Sequence, residues 1–198
     1  MSLRRSIVQR IRSILAATRW RTVDIVVVAL LSVAFGVVFF AWNNVWSWGG
    51  FLGAQAESLV TGVWLLPAVV CPLIVRKPGA ALFGEMVAAT VSALLGSQWG
   101  LDTLVSGLLQ GGGAELVFLV TMYRSWGPIT AILAAVGAAI GEVAHDIVIY
   151  YASIDVQGQV GVAIAEVASA IVIVGVGGWL LVRALRLSGA LQAFPAGR

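Results

Sequence analysis

Five acidic side chains fall inside long apolar stretches of this sequence: Glu85, Glu115, Glu142, Asp146 and Glu166. Ionisable groups are costly in hydrocarbon, so such residues turn toward a protein interior, water or a ligand. Only His145 lies near them, and the arginines sit at the ends of the stretches. Carboxylates without cationic partners suit a cationic ligand; the alternative is that several are protonated and hydrogen-bonded between helices.

Glu115 closes the run Gln110-Gly111-Gly112-Gly113-Ala114-Glu115, whose glycines let a ligand or a second backbone come close. Five residues place Gln110 and Glu115 about 500° apart around a helix, so they do not share one line. Both are candidate substrate contacts, weighed against an interhelical hydrogen bond. Glu142, His145 and Asp146 stand at i, i+3 and i+4 on one helical face. That spacing suits a metal site, a proton relay, a ligand wall with Glu142 foremost, or a satisfied polar contact. A metal is disfavoured because a second histidine is lacking. Glu85 is a further candidate carboxylate, although its depth also suits a subunit interface.

Aromatic rings complete the set. Trp64, Trp99 and the cluster Trp42, Asn43, Asn44, Trp46, Trp48 supply flat π faces and amides. An aromatic cage beside a carboxylate recognises cationic heterocycles, while a lone tryptophan at a membrane surface is more often an interface anchor. Gln98 and Trp99 are placed to close over a ligand. No catalytic constellation accompanies these groups. The sequence lacks a Gly-x-x-x-x-Gly-Lys phosphate loop, a Gly-x-Ser-x-Gly turn and a His-Glu-x-x-His pair. No cofactor is implied, and the single Cys71 excludes an intramolecular disulfide and a cysteine-based metal site.

The elements that must position these residues follow from composition. The chain is 60% hydrophobic and 11% charged, against about 25% charged in a soluble domain. Its mean hydropathy is +0.99, so lipid is the medium for most side chains. Six apolar stretches, near 24–42, 58–75, 80–96, 104–122, 128–151 and 162–182, approach the length that crosses ~30 Å of hydrocarbon at ~1.5 Å per residue. All 12 basic residues fall before the first stretch, after the second, after the fourth or after the sixth. The intervening loops near 43–57, 97–103 and 152–161 hold none. The positive-inside rule then predicts six spans with both termini cytoplasmic. The same placement makes the net charge of +3 a topology signal and excludes a nucleic-acid-binding face.

The expected organisation is a basic segment over 1–21, a six-helix substrate-binding bundle over 22–186 and a cytoplasmic tail over 187–198. Leu3, Ile7, Ile11 and Ile14 recur at helical spacing among arginines, which fits an amphipathic surface helix or a disordered basic tail. Ala80, Gly84, Ala88, Ser92 and Gly96 make a narrow stripe of small residues, with Ala29, Ser32 and Gly36 a smaller one. Such stripes pack helices backbone to backbone, inside the bundle or against another membrane subunit. The second option makes Ala29, Ser32, Gly36, Gly84 and Ala88 the candidate subunit interface.

Five blocks in order resemble the YkoE family: Trp20–Val26 (WRTVDIV), Gly62–Val69 (GVWLLPAV), Arg76–Glu85 (RKPGAALFGE), Val91–Gly100 (VSALLGSQWG) and Gln110–Phe118 (QGGGAELVF). These are membrane S components of energy-coupling-factor (ECF) transporters, associated with thiamine or its hydroxymethylpyrimidine precursor. The resemblance implies a six-helix fold with an outward-facing pocket. It also implies a transmembrane coupling subunit and ATP-binding-cassette ATPase subunits as partners, with ATP hydrolysed there and not on this chain. A stand-alone proton-coupled secondary transporter is the alternative; an enzyme or scaffold fits the residues less well.

Overall fold

The computed structural model describes residues 19–49 and 53–197, and it is all helical. The amphipathic or disordered reading of the N-terminal tail falls on residues outside the described ones, apart from its last few positions.

Helix α1 spans Thr22–Gly49, running seven residues past the expected end of the first stretch near 42. The second stretch is broken into a single turn α2 (Ala54–Ser58), a 3-10 turn (Thr61–Leu65) and α3 (Leu66–Val75). Helix α4 is Ala80–Leu94, α5 Asp102–Val120 and α6 Pro128–Ile149. The last run is α7 (Val156–Ser169), a wide π-helical segment Ala170–Gly178 and α8 (Trp179–Leu187). Five of these helical runs are long and apolar enough to cross a bilayer, and the 15-residue α4 is a shorter apolar helix. The protein is thus a multi-pass membrane protein.

Burial separates the runs. In Ala54–Val75, 72% of the most apolar window is inside the protein, against 22% in Thr22–Trp48. Helix α3 is therefore the axis of the bundle, buried from Pro67 to Val75. The other helices surround it and leave Leu30, Leu116, Ile129, Ile140, Ile164 and Val172 exposed to lipid. Pro67 starts α3 where its missing N–H costs nothing. Arg76, in the left-handed region at φ 52°, ends it, and Gly79 at φ 81° opens α4.

Most residues of the small-residue stripes pack within the chain. Ser32 and Ala88 are fully buried. A Cβ on Gly36 would stand 2.5 Å from Val91 Cβ and 2.7 Å from the Ala88 carbonyl, and one on Gly84 would stand 2.9 Å from Cys71 Sγ. Only Ala29 of the five is partly exposed. A bulky residue at Gly36 or Ala88 would thus strain the bundle itself.

Helices α5 and α6 cross in the same manner. The alanines 131, 134, 135, 138 and 139 are all buried, and a Cβ on Gly137 would lie 2.5 Å from the Gly113 carbonyl. Gly137→Val is expected to lower stability by about 2 kcal/mol or more, because backbone cannot yield as a side chain does. Thermal unfolding in detergent checks this; an unchanged midpoint would mean the crossing tolerates bulk.

The C-terminal stretch is not a free tail. Leu191, Phe194 and Ala196 are buried in the same core as α3. At the same end of the bundle Trp20 Nε1 donates to the Pro78 carbonyl at 3.0 Å and packs on Phe83.

Candidate functional site

At the end of the bundle opposite Trp20 and Pro78 the helices part around a cavity of about 270 Å³. This is near the lower limit for sites that enclose small molecules. Its wall is built from Phe39, Asn43 and Trp46 of α1, and from Glu57, Thr61 and Trp64 of the broken second run. Glu85, Ala89 and Ser92 of α4 continue it, followed by Ser97 and Trp99 of the following loop. Asp102, Thr103, Ser106, Gly107 and Gln110 of α5 come next, and Glu142, His145 and Asp146 of α6 with Tyr150 and Tyr151 close the ring. No lysine or arginine is among them.

Three indoles gather at the mouth. Trp46 and Trp64 each stand 5.3 Å from Trp99, ring centre to ring centre, and 6.3 Å from one another. The interplanar angles of 55–85° leave ring faces turned into the cavity instead of stacked on each other. Trp64 Nε1 donates to Asn43 Oδ1 at 3.1 Å, and Asn43 Nδ2 donates to Ser97 Oγ at 3.3 Å. Thr103 Oγ1 donates to the same Ser97 oxygen at 3.1 Å. This network explains why α1 continues as a helix through Asn43 and Asn44, residues that favour turns when isolated.

Carboxylates line the rest. Glu85 is fully buried, with Oε2 accepting the Ala68 N–H at 3.0 Å. Glu142 is buried too, and Gln110 reaches Ser106 Oγ through Nε2. On the α5–α6 side, His145 Nδ1 pairs with Asp146 Oδ1 at 2.8 Å and His145 Nε2 with Asp102 Oδ1 at 3.1 Å. Tyr150 donates its hydroxyl to the second Asp102 oxygen. Burial first, and Asp102 next, raise the Tyr150 phenol, while burial and then Asp146 push Tyr151 up to about 12. Both tyrosines are neutral donors at physiological pH. The chain Asp146–His145–Asp102–Tyr150 thus clamps the start of α5 to the end of α6. Among the described residues no group of three or more His, Cys, Asp or Glu is placed to hold a metal ion.

Of the residues expected from the sequence, Asn43, Trp46, Trp64, Glu85, Trp99, Gln110 and Glu142 come together on this wall. Three do not. Trp42 turns its Nε1 to the Val60 carbonyl at 2.9 Å and fastens α1 to the broken run. Gln98 is exposed beside the mouth, accepting from Ser47 Oγ at 3.0 Å. Glu115 lies toward the other end of α5, about 7.5 Å beyond Gln110 along the axis. Its carboxylate accepts the Gly79 N–H at 2.6 Å, the Ala81 N–H at 3.0 Å and the Tyr123 hydroxyl at 2.7 Å. It caps α4 instead of facing the cavity. Glu57, Ser92, Ser97, Asp102 and Tyr150 are further wall residues, not among those expected from the sequence. The helical spacing of Glu85, Ala89 and Ser92 was a usable signal for one of them.

A membrane bundle with an enclosed polar-aromatic chamber at one end is the architecture of a substrate-binding subunit. It superposes with a TM-score of 0.87 on a solved structure described as an S-component of an ECF transporter, at 29% identity over 90% of this chain and 92% of that one. The chain belongs to the family described as the ABC-type cobalt transport system permease component, whose model matches residues 23–141. It is also 33% identical over 129 residues to the putative HMP/thiamine permease protein YkoE of Bacillus subtilis (strain 168). That match covers 65% of this chain and 65% of the relative. The YkoE resemblance in the sequence blocks therefore holds, and these relatives are transport components, not enzymes.

Proposed function

We propose that this protein is the substrate-capture subunit of an ATP-driven ECF-type vitamin importer, binding thiamine or its hydroxymethylpyrimidine precursor from outside. In this reading the chain crosses the membrane six times with both termini in the cytoplasm, α4 making the short crossing. A transmembrane coupling subunit and ABC ATPase subunits are its partners. The observation that carries the reading is the cavity itself: three tryptophans and five carboxylates, with no lysine or arginine on its wall. That chemistry selects a cationic, donor-bearing heteroaromatic. It lies at the end whose loops lack basic residues, the outer end by the positive-inside rule. The name of the YkoE relative, an HMP/thiamine permease, points the same way.

The test is titration of the detergent-purified protein with thiamine, hydroxymethylpyrimidine and riboflavin, followed by tryptophan fluorescence. Quenching by the first two but not by riboflavin is the expected result, and no response to either would overturn the substrate assignment. The hydrogen-bonded line Asp146–His145–Asp102–Tyr150 favours a second reading, a stand-alone proton-coupled transporter. Uptake that persists in ATP-depleted cells with an intact proton gradient would select it.

A further inference from the structure

At the end of the bundle away from the chamber, Arg76 closes α3, and its Nε is buried with no hydrogen-bond partner. A buried donor left unsatisfied is unfavourable. Helix α8 packs against α3 and brings a second guanidinium to the same place. Burial first, and Arg186 next, lower the Arg76 guanidinium below its ordinary pKa. One turn back on α8, Arg183 lies over the Trp179 ring, 5.4 Å from its centre. Trp179, Arg183 and Arg186 follow the i, i+4, i+7 spacing of one helical face. Among the described residues none of the three arginines makes an ion pair. The acids near this end are already engaged, Asp24 by Arg21 and Glu115 by Gly79, Ala81 and Tyr123. The positive-inside rule accounts for arginines at a membrane surface, but not for a buried guanidinium nitrogen set beside a second arginine. These charges require an anion from outside the chain.

We propose that Arg76, Arg183 and Arg186 form a binding site, between the ends of α3 and α8, for the headgroup of an anionic phospholipid. A phosphate oxygen accepts from several guanidinium forks at once, which suits the three arginines. The neighbours of Arg183 favour a lipid as the source of that phosphate. Leu180 and Leu187 stand three residues before it and four after it, on its own face, and both are exposed. The arginines thus lie where the helix surface passes from hydrocarbon to water, and Trp179 is a ring of the kind that settles at that boundary. A lipid brings acyl chains to cover the leucines; a free anion does not. Basic pockets between membrane helices hold anionic headgroups by the same attraction. A lipid bound here ties α3, the axis of the bundle, to α8 beside the C-terminal segment, whose Leu191 and Phe194 share its core. The site does not depend on what the chamber binds.

The experiment uses the full chain in detergent and three probes: phosphatidylglycerol, phosphatidylcholine and inorganic phosphate. Native mass spectrometry reads lipid binding, and thermal unfolding reads its effect on the bundle. The wild-type protein is expected to bind phosphatidylglycerol about tenfold or more tighter than phosphatidylcholine, and to unfold at a higher temperature with it. Arg76→Gln and Arg186→Gln should each reduce that preference about threefold or more. Arg124→Gln, at an exposed arginine of the loop between α5 and α6, should leave it unchanged. Comparison of the lipids on the wild-type protein needs no variant, so a misfolded mutant does not block the test. The two lipids bound within about twofold of each other would overturn the proposal. An equal loss of preference in Arg124→Gln would also overturn it, because a diffuse positive surface would then be the cause. Displacement of phosphatidylglycerol by inorganic phosphate, with the same rise in the unfolding midpoint, would give the site to a free anion and overturn the lipid assignment.

Discussion

Replacing Glu115 with alanine is expected to cost about 3 kcal/mol of stability or more, and to leave ligand affinity within about a factor of two. Its carboxylate accepts three hydrogen bonds, from Gly79 N–H, Ala81 N–H and Tyr123 Oη. Two of those donors belong to the start of α4, where the first N–H groups of any helix have no partner of their own. Gly79 stands at φ 81° and Ala81 is fully buried, so water cannot readily replace the lost acceptor. A carboxylate at this helix N-terminus also meets the positive end of the helix dipole. Tyr123 adds a check of its own. Burial first, and Glu115 second, raise its phenol above the ordinary tyrosine value. In Glu115→Ala the phenol should therefore titrate at lower pH. Because the folded value is raised, the stability linked to Tyr123 is present below the ordinary phenol range and lost as pH rises through the folded value. Glu115→Gln, which keeps one acceptor, should fall between wild type and alanine. Thermal unfolding and ligand titration on the same samples decide the matter. A stable Glu115→Ala protein with affinity reduced tenfold or more would return Glu115 to the binding site.

Glu115 makes the interhelical hydrogen bonds that were the alternative to a substrate contact, and the reason the sequence left both open is physical. An acid in an apolar run announces that it has a partner, not which partner. The donors that claim Glu115 are exposed as orphans by the turn at Arg76 to Gly79, more than thirty residues earlier in the chain. No local spacing records that meeting. Gln110 and Glu115 were legible as pointing in different directions, and the structure separates them accordingly. Which of the two faced the chamber depended on how α5 is rotated against α4 and α6, set by the Gly113–Gly137 crossing. The small-residue stripes were legible as close-packing surfaces, but the same pattern serves a neighbour in the chain and a neighbour in another subunit. In this chain Ser32, Gly36, Gly84 and Ala88 are buried where α1, α3 and α4 meet.

Other features were readable because they depend on bulk chemistry. Apolar runs located the helices to within several residues, since lipid demands continuous apolar length. Errors arose where tertiary bonds overrode local preference. Residues 43–49 look like a loop by composition, yet the bonds from Asn43 to Trp64 and Ser97 fix them as the last turns of α1. The face carrying Glu142, His145 and Asp146 was plain from its spacing. Its partners Asp102 and Tyr150 were not, because Asp102 comes from another helix 43 positions away.

Trp99→Leu is expected to weaken thiamine binding about thirtyfold or more, corresponding to ~2 kcal/mol for a desolvated cation held against an indole face. Trp99 stands 5.3 Å from each of the other two indoles, which are 6.3 Å apart, so its removal opens the cage on two sides. Leucine keeps part of the apolar volume but has no quadrupole to attract positive charge. The loss should therefore show in affinity more than in the unfolding midpoint. Trp64→Leu should be worse still, because it also strips Asn43 of the N–H that orients it. Trp42→Leu is the control: its indole bonds the Val60 carbonyl and lines no part of the chamber. That variant should lose some stability and keep its affinity. A common fall in affinity across all three variants would point to general loosening of the bundle. A Trp99→Leu protein binding as tightly as wild type, beside a Trp42→Leu protein that does not, would move the aromatic contact to the outer face of α1.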